Sequence, residues 1–548
     1  MSVITKQISS LEKIYPDHTE DVNVITETTV LRGECFSYQI AVFPKSNTEL
    51  SVEVVSPLKE SVKLYSVKNA VADYPVYDTE DSDYITKTPS LMPDILVPLE
   101  QEKCSARFAS GAGALWISVT VPEDAPAGKC PVTVKMTEAN GTQIEETLYL
   151  HVIAATVPKQ RTLFTQWFHV DCIADIHNVE IYSEEHWRLI DKYMSLACEL
   201  GINMLLTPVI TPPLDTAVGT RRPCTQLVRI EKQGEKYVFD FSLLKRWIDL
   251  CLKNGIKYFE ISHLFSQWGL KCAPNIKITE NGEEHFAFGW HVDARSEEYK
   301  DFLAQFLPTL VDFLEAQGVK DRCWFHISDE PSSKHFEAYE YAHGIVEPLI
   351  RGCRTLDAIS DYGFYEKGLI PNPVTAINKM EPFIQNDAKN RWAYYCCSQY
   401  NKVSNRFLAM PAYRTRIIGL QLYKFDIVGF LHWGYNFYYN QYSRRMINPY
   451  ITTSADKAFP SGDPFSVYPT ADGAIPSLRA VVFKEALMDV EICRMLEGYI
   501  GREAVIRMID DAAGMELTFA EYPRNSQFVP QLIEKMVKLI EDHAACGL

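Results

Sequence analysis

The sequence predicts a multidomain chain: an N-terminal β-sandwich over residues 1–157, a (β/α)8 TIM-type barrel over 158–475, and a C-terminal helical extension over 476–548 packed on the barrel. Three observations predict it. The first 157 residues carry Val, Thr and Tyr runs broken by turn residues, with no useful helical period. After Val157-Pro158 the pattern becomes helix, glycine, short apolar strand, repeated along the chain. From Pro476 onward helical periodicity dominates to the end.

Within the first region the runs Val22–Phe43, Ser51–Ser56 and Val62–Tyr77 read as strands. The clearest hairpin spans Pro131 to Val152. There Val132, Val134 and Met136 alternate with Thr133, Lys135 and Thr137, Asn140-Gly141 turns the chain, and Leu148, Leu150 and Val152 return on the same period of two. In the second region Trp187, Ile190, Met194 and Ala197 share one helical face, which Gly201 closes before the strand Asn203–Val209. Leu244, Trp247, Ile248 and Cys251 repeat this, with Gly255 and the strand Tyr258–Leu264 after them. Tyr299, Phe302, Phe306, Leu310 and Phe313 form the third stripe, followed by Gly318 and Cys323–Ser328. Adding Leu163–Val170, Thr355–Ser360, Thr375–Asn378, Trp392–Cys396 and Gly429–Asn436 makes eight strands, the number a (β/α)8 barrel needs. In the extension Arg479, Glu485 and Asp489 stand among the polar positions.

Composition narrows the function. The chain has 548 residues, 47% apolar and 23% charged, so a packed globular protein is expected rather than a disordered or fibrous one. With 54 Lys+Arg against 71 Asp+Glu the formal charge is −17, which repels phosphate backbones; no nucleic-acid partner is expected. No apolar stretch reaches 18 residues, so no membrane span is expected. The first residues lack an apolar h-region and the 14 cysteines are irregularly spaced, so a cytoplasmic protein with reduced thiols is expected. There is no Gly-x-Gly-x-x-Gly between strand and helix, no Walker loop and no Gly-x-Ser-x-Gly elbow, and no cofactor is expected. Aromatics at 12%, including 29 Tyr and 9 Trp, suit either a ring-stacking ligand such as a carbohydrate or a bulky core.

Barrel enzymes place their chemistry at the C-terminal strand ends. There this chain carries Trp167 and His169, Asp215, Glu260, His263, Gln267 and Trp268, then His326-Ile327-Ser328-Asp329-Glu330-Pro331, and later Asp357, Tyr394, Tyr395, Trp433, Tyr435 and Asn436. The tandem Asp329-Glu330, set between an apolar strand and a proline, is the sharpest feature. Two close carboxylates raise the pKa of one of them, which suits a general acid. The alternative is a helix N-terminal pair stabilised by the macrodipole. His263, His326 and Asp329 were weighed as zinc ligands, but no tight ligand spacing supports them and no metal is expected. By strand position Tyr394, Tyr395, Trp433, Tyr435, His263 and His326 are the candidate substrate-binding residues, and Asp329 and Glu330 the catalytic ones.

These residues resemble glycoside hydrolase family 123, the exo-acting β-N-acetylgalactosaminidases. The resemblance rests on Ala114-Leu115-Trp116-Ile117 through Pro126-Ala127-Gly128, on Trp324-Phe325-His326-Ile327-Ser328-Asp329-Glu330-Pro331, and on Gly429-Phe430-Leu431-His432-Trp433-Gly434-Tyr435-Asn436. Tyr468-Pro469 and Pro476-Ser477-Leu478-Arg479 complete it. It implies a retaining, substrate-assisted mechanism on a glycan with a terminal 2-acetamido sugar. Asp329 matches the family's polarising aspartate and Glu330 its acid/base, with tyrosine and tryptophan walls around the acetamido group. Two other readings stay open: a barrel glycosidase with separated carboxylates, Glu330 as acid and Glu260 as nucleophile, and a non-catalytic glycan-binding protein.

Overall fold

The computed structural model describes residues 3–100 and 104–545. The N-terminal region forms two five-stranded sheets. One orders Val3–Ser9, Cys35–Pro44, Gly113–Thr120, Val62–Ala72 and Ser90–Leu99, all antiparallel. The other orders Glu27–Arg32, Gln143–Thr156, Gly128–Glu138, Thr48–Val55 and Cys104–Phe108, antiparallel except for its first pair. Ile40, Leu64 and Ile117 of the first sheet and Val52, Val134 and Leu150 of the second belong to one buried cluster. The hairpin forms as expected: Leu148 pairs Val132, Glu146 pairs Val134, and Gly141 takes the turn at φ 87°.

The second region is a nearly closed barrel of nine short parallel strands. In space they run Arg354–Thr355, Cys323–Phe325, Tyr258–Ile261, Met204–Thr207, Leu163–Gln166, Gly429–His432, Trp392–Tyr394, Pro373–Ala376 and Asp357–Ala358. Only Leu356 separates the two end strands in sequence. The amphipathic helices Glu184–Glu199, Ser242–Lys253 and Glu297–Ala316 lie between strands, and Gly201, Gly255 and Gly318 end them in the left-handed region. Ser183 and Ser296 cap two of them, accepting from the His186 and Tyr299 amides at 3.2 and 3.3 Å.

The ladders are shorter than the sequence predicts. Leu163–Val170 pairs only through Gln166, Cys323–Ser328 only through Phe325, and Gly429–Asn436 only through His432. The apolar and aromatic residues beyond those points are buried or partly buried outside the barrel ladders, and their composition alone reads as strand. A four-stranded sheet of Arg229–Gln233, Lys236–Asp240, Ile276–Glu280 and Glu283–Phe288 stands outside the barrel and was not expected.

The C-terminal helices are Leu478–Ile500, Arg502–Ala513 and Phe528–Ala545. The first is not a surface tail: Arg479, Glu485 and Asp489 are all buried. Arg479 bonds Asp94 of the first sheet at 2.8 and 3.0 Å and the carbonyl oxygens of Gly462 and Phe465 at 2.6 and 3.1 Å. Asp489 receives Arg416 at 2.5 and 2.8 Å, and Glu485 receives it as well. Among the described residues no helix is long and apolar enough to cross a membrane.

Candidate active site

A cavity of about 320 Å³ opens at the C-terminal ends of the barrel strands, and Asp329 and Glu330 both line it. On a regular strand neighbouring side chains point to opposite faces. Here the ladder has ended at Phe325, and Glu330 adopts a left-handed backbone at φ 44°, which turns the chain so that both carboxylates enter one space. Asp215, Trp268 and Tyr442 line the same cavity and also lie in the left-handed region, at φ 38°, 53° and 62°. Non-glycine backbone of this kind is costly and persists where surrounding structure imposes it, often at working sites.

Backbone bonds fix the loop beside the carboxylates. Leu264 and Phe265 donate to the His326 and Ile327 carbonyls at 3.1 and 3.0 Å, and Trp268 donates to that of Asp329 at 3.4 Å. This alignment carries the Gln267 amide to Asp329 Oδ2 at 2.9 Å, while its carbonyl accepts the Asp215 amide at 2.6 Å. The Tyr394 hydroxyl donates to Glu330 Oε1 at 2.7 Å. Burial, and then the charge of Glu330, push the Asp329 carboxyl up to about 8. The Asp329 carboxyl therefore keeps its proton at neutral pH.

Aromatic side chains wall the cavity, and buried carboxylates hold two of them. Trp167 donates from Nε1 to Glu260 Oε1 at 2.7 Å, and Trp433 donates to Asp463 Oδ2 at 2.9 Å. His169 accepts from Arg222 at Nδ1 (3.1 Å), so its Nε2–H donates to the Trp433 carbonyl at 2.9 Å. Burial and then the Arg222 charge lower His169 to about 3, which keeps it neutral.

Four of the expected substrate-binding residues do not reach the cavity. Tyr395 is fully buried and packs against Phe430 and His432, with ring centroids at 4.9 and 5.5 Å. Tyr435 stacks on Phe168 and donates to the Tyr193 carbonyl at 3.0 Å. His326 lies inside the barrel between two carboxylates, Glu260 at 2.5 Å and Asp357 at 3.1 Å. Burial lowers its pKa, but those two neighbours outweigh it and raise it to about 9, so the ring is a cation. His263 stacks on it at 4.1 Å and is held neutral by burial and then by that charge. Side-chain alternation turns Tyr395 away from the cavity that Tyr394 faces, whereas Tyr435, His263 and His326 are held by the buried contacts just given. Gln441, Tyr442, Phe459 and Asp463 come from irregular loops that carry no sequence pattern.

His263, His326 and Asp357 present ligand atoms within 4.8 Å of one another. Both His326 nitrogens are already committed to carboxylates, and the two imidazole planes lie only 15° apart, so their lone pairs run side by side rather than converging. His326 and Asp357 thus spend their ligand atoms on each other and on neighbouring groups, and His263 contributes a stacked ring. Glu260 accepts from Thr165 (2.6 Å), Trp167 and His326, and it does not line the cavity; it is a support for Trp167, not a nucleophile.

Adjacent carboxylates at the end of a barrel strand, inside an aromatic-walled pocket, place acid/base chemistry where barrel enzymes carry it. The model of the glycoside hydrolase 123 catalytic domain matches residues 167–496, and the chain belongs to that family. The match begins at the cavity's Trp167 and ends inside the helix Leu478–Ile500. The chain also shares its fold with a family 123 glycoside hydrolase from Clostridium perfringens, at 15% identity and a TM-score of 0.72 over 99% of this chain and 97% of that one. A family 5 xyloglucanase from Bacteroides ovatus aligns over 84% of this chain and 98% of its own at 7% identity, with a TM-score of 0.33, too low to support an argument. No curated protein matches the sequence.

Proposed function

We propose that the protein is a retaining exo-glycosidase that removes terminal β-linked N-acetylgalactosamine from glycans by substrate-assisted catalysis. The observation that carries this reading is the Asp329–Glu330 pair in one cavity, with Gln267 bonded to Asp329 and Tyr394 to Glu330. On binding, the acetamido N–H donates to the Asp329 carboxylate, and the proton of the pair passes to Glu330. The acetamido oxygen then attacks the anomeric carbon, Glu330 protonates the leaving oxygen, and an oxazolinium ion forms whose positive charge Asp329 offsets. Glu330, now a base, deprotonates the water that opens the ring, and the proton returns to the pair. No separate protein nucleophile is needed. The walls of Trp167 and Trp433 suit the apolar faces of a sugar and its acetamido methyl.

We read the two N-terminal sheets as a β-sandwich (residues 1–157) and the nine-strand ring as an eight-stranded barrel whose fifth strand is broken at Leu356, followed by the helical extension from 476. The test sets para-nitrophenyl β-GalNAc, β-GlcNAc and β-galactoside side by side, with and without a GalNAc-thiazoline. Cleavage of acetamido sugars alone, blocked by the thiazoline and reduced about 10²–10⁴-fold by Glu330→Gln on poor leaving groups, is the expected result. Turnover of the plain galactoside would defeat the substrate-assisted step. The Asp215→Asn variant then asks whether the cavity's remaining carboxylate serves as a nucleophile.

A further inference from the structure

The catalytic cavity has a neighbour on the same face of the barrel. A second hollow of about 530 Å³ shares two side chains with it, Glu330 and Tyr394, and is lined further by Ser332, Asp361, Tyr362 and Lys379. These residues follow the strands Cys323–Phe325, Asp357–Ala358 and Pro373–Ala376. Two hollows that share side chains meet at them, and the shared ones are the acid/base and the tyrosine that donates to it. An acid must lie within about 3 Å of the oxygen it protonates. The part of the substrate beyond that oxygen therefore continues past Glu330. Asp329 does not line the second hollow; it is bonded toward Gln267 on the other side.

The two spaces also differ in chemistry. The cavity is walled by Trp167, Leu431, Trp433 and Phe459, whereas the second hollow presents hydroxyl groups, an ammonium and a carboxylate. Lys379 is exposed, and among the described residues its ammonium has no ion-pair or hydrogen-bond partner. Asp361 accepts the Gly363 amide at Oδ1 (3.0 Å), which leaves Oδ2 available. A donor and an acceptor that line one hollow with the half-buried ring of Tyr362 match the hydroxyl groups and the apolar face of a sugar.

We propose that this second hollow is the leaving-group subsite, and that it takes a pyranose whose hydroxyls are held by Lys379 and Asp361. The inference rests on the acetamido-sugar reading above.

The experiment compares kcat/KM for a GalNAc-β-galactose disaccharide with that for β-N-acetylgalactosaminyl fluoride, whose leaving group is too small to fill the hollow. Lys379→Ala is expected to lower the ratio of disaccharide to fluoride about 10-fold, the worth of one charged hydrogen bond, and Lys379→Arg to restore part of it. Trp268→Ala, at a cavity residue that does not line the second hollow, is expected to leave that ratio in place. An unchanged ratio in Lys379→Ala overturns the proposal, as does a disaccharide-selective loss in Trp268→Ala. Wild type inert on both substrates overturns the acetamido-sugar reading itself, and this inference falls with it.

Discussion

At the scale of residues, the pH dependence of the reaction follows the Asp329 carboxyl, which burial and then the Glu330 charge raise to about 8. Below that pH it carries a proton that can reach the leaving oxygen by way of Glu330; above it that proton is gone. The wild-type rate on a poor leaving group should therefore fall as pH rises through about 8. Glu330→Gln removes the acid, and an activated aryl glycoside needs only an ionised Asp329, so its residual hydrolysis should rise with pH instead. A residual rate that falls in parallel with wild type would contradict the assignment of roles. The carboxylate pair was legible in the sequence because a charged pair between an apolar strand and a proline has few other places to sit. Tyr394 and Trp433 were legible from their strand ends. Gln267 was legible only as a loop residue, because its bond to Asp329 depends on how two loops align after their ladders end.

At the scale of elements, the helices Glu184–Glu199, Ser242–Lys253 and Glu297–Ala316 were legible through an apolar stripe and a terminal glycine, since burial of one face and the left-handed stop are local requirements. Close approaches between elements are not local. Gly419, in the helix Ile418–Lys424, faces the helix Leu478–Ile500 so closely that a Cβ would lie 2.2 Å from the Ala486 carbonyl oxygen. Gly419→Ala should destabilise the protein by about 1–3 kcal/mol through overpacking. Gly498, in the second helix, has nothing within 4 Å of a Cβ, so Gly498→Ala should stabilise by about 0.5–1 kcal/mol. Denaturant midpoints of the two variants should move in opposite directions; equal shifts would refute the close packing. The four-stranded outer sheet was not legible for a related reason: its strands are only five or six residues long, rich in Lys and Glu, and bury one face alone.

At the scale of the molecule, Arg479 ties three regions together. It pairs with Asp94 of the first sheet, which also accepts the Tyr468 hydroxyl at 2.6 Å, and it binds the carbonyls of Arg406, Gly462 and Phe465 around the loop that carries Asp463. Removing one member of a buried ion pair leaves the other charge uncompensated, at a cost of about 3–5 kcal/mol. Arg479→Ala should lower the denaturant midpoint accordingly and also reduce kcat, because the Asp463 that orients Trp433 loses its support. A variant with native stability and activity would show that the regions are joined elsewhere.

Periodicity, turn residues and the placement of apolar runs were enough to determine the N-terminal strands, the parallel barrel and the position of Asp329-Glu330 at a strand end, because each follows from what a short segment must bury or expose. Tertiary structure alone decided where the ladders stop, which of two adjacent aromatics faces the cavity, and that His326 serves as a buried cation between Glu260 and Asp357 rather than as a substrate ligand. Those outcomes depend on the balance of desolvation against partners brought from distant parts of the chain, a balance that no local pattern records.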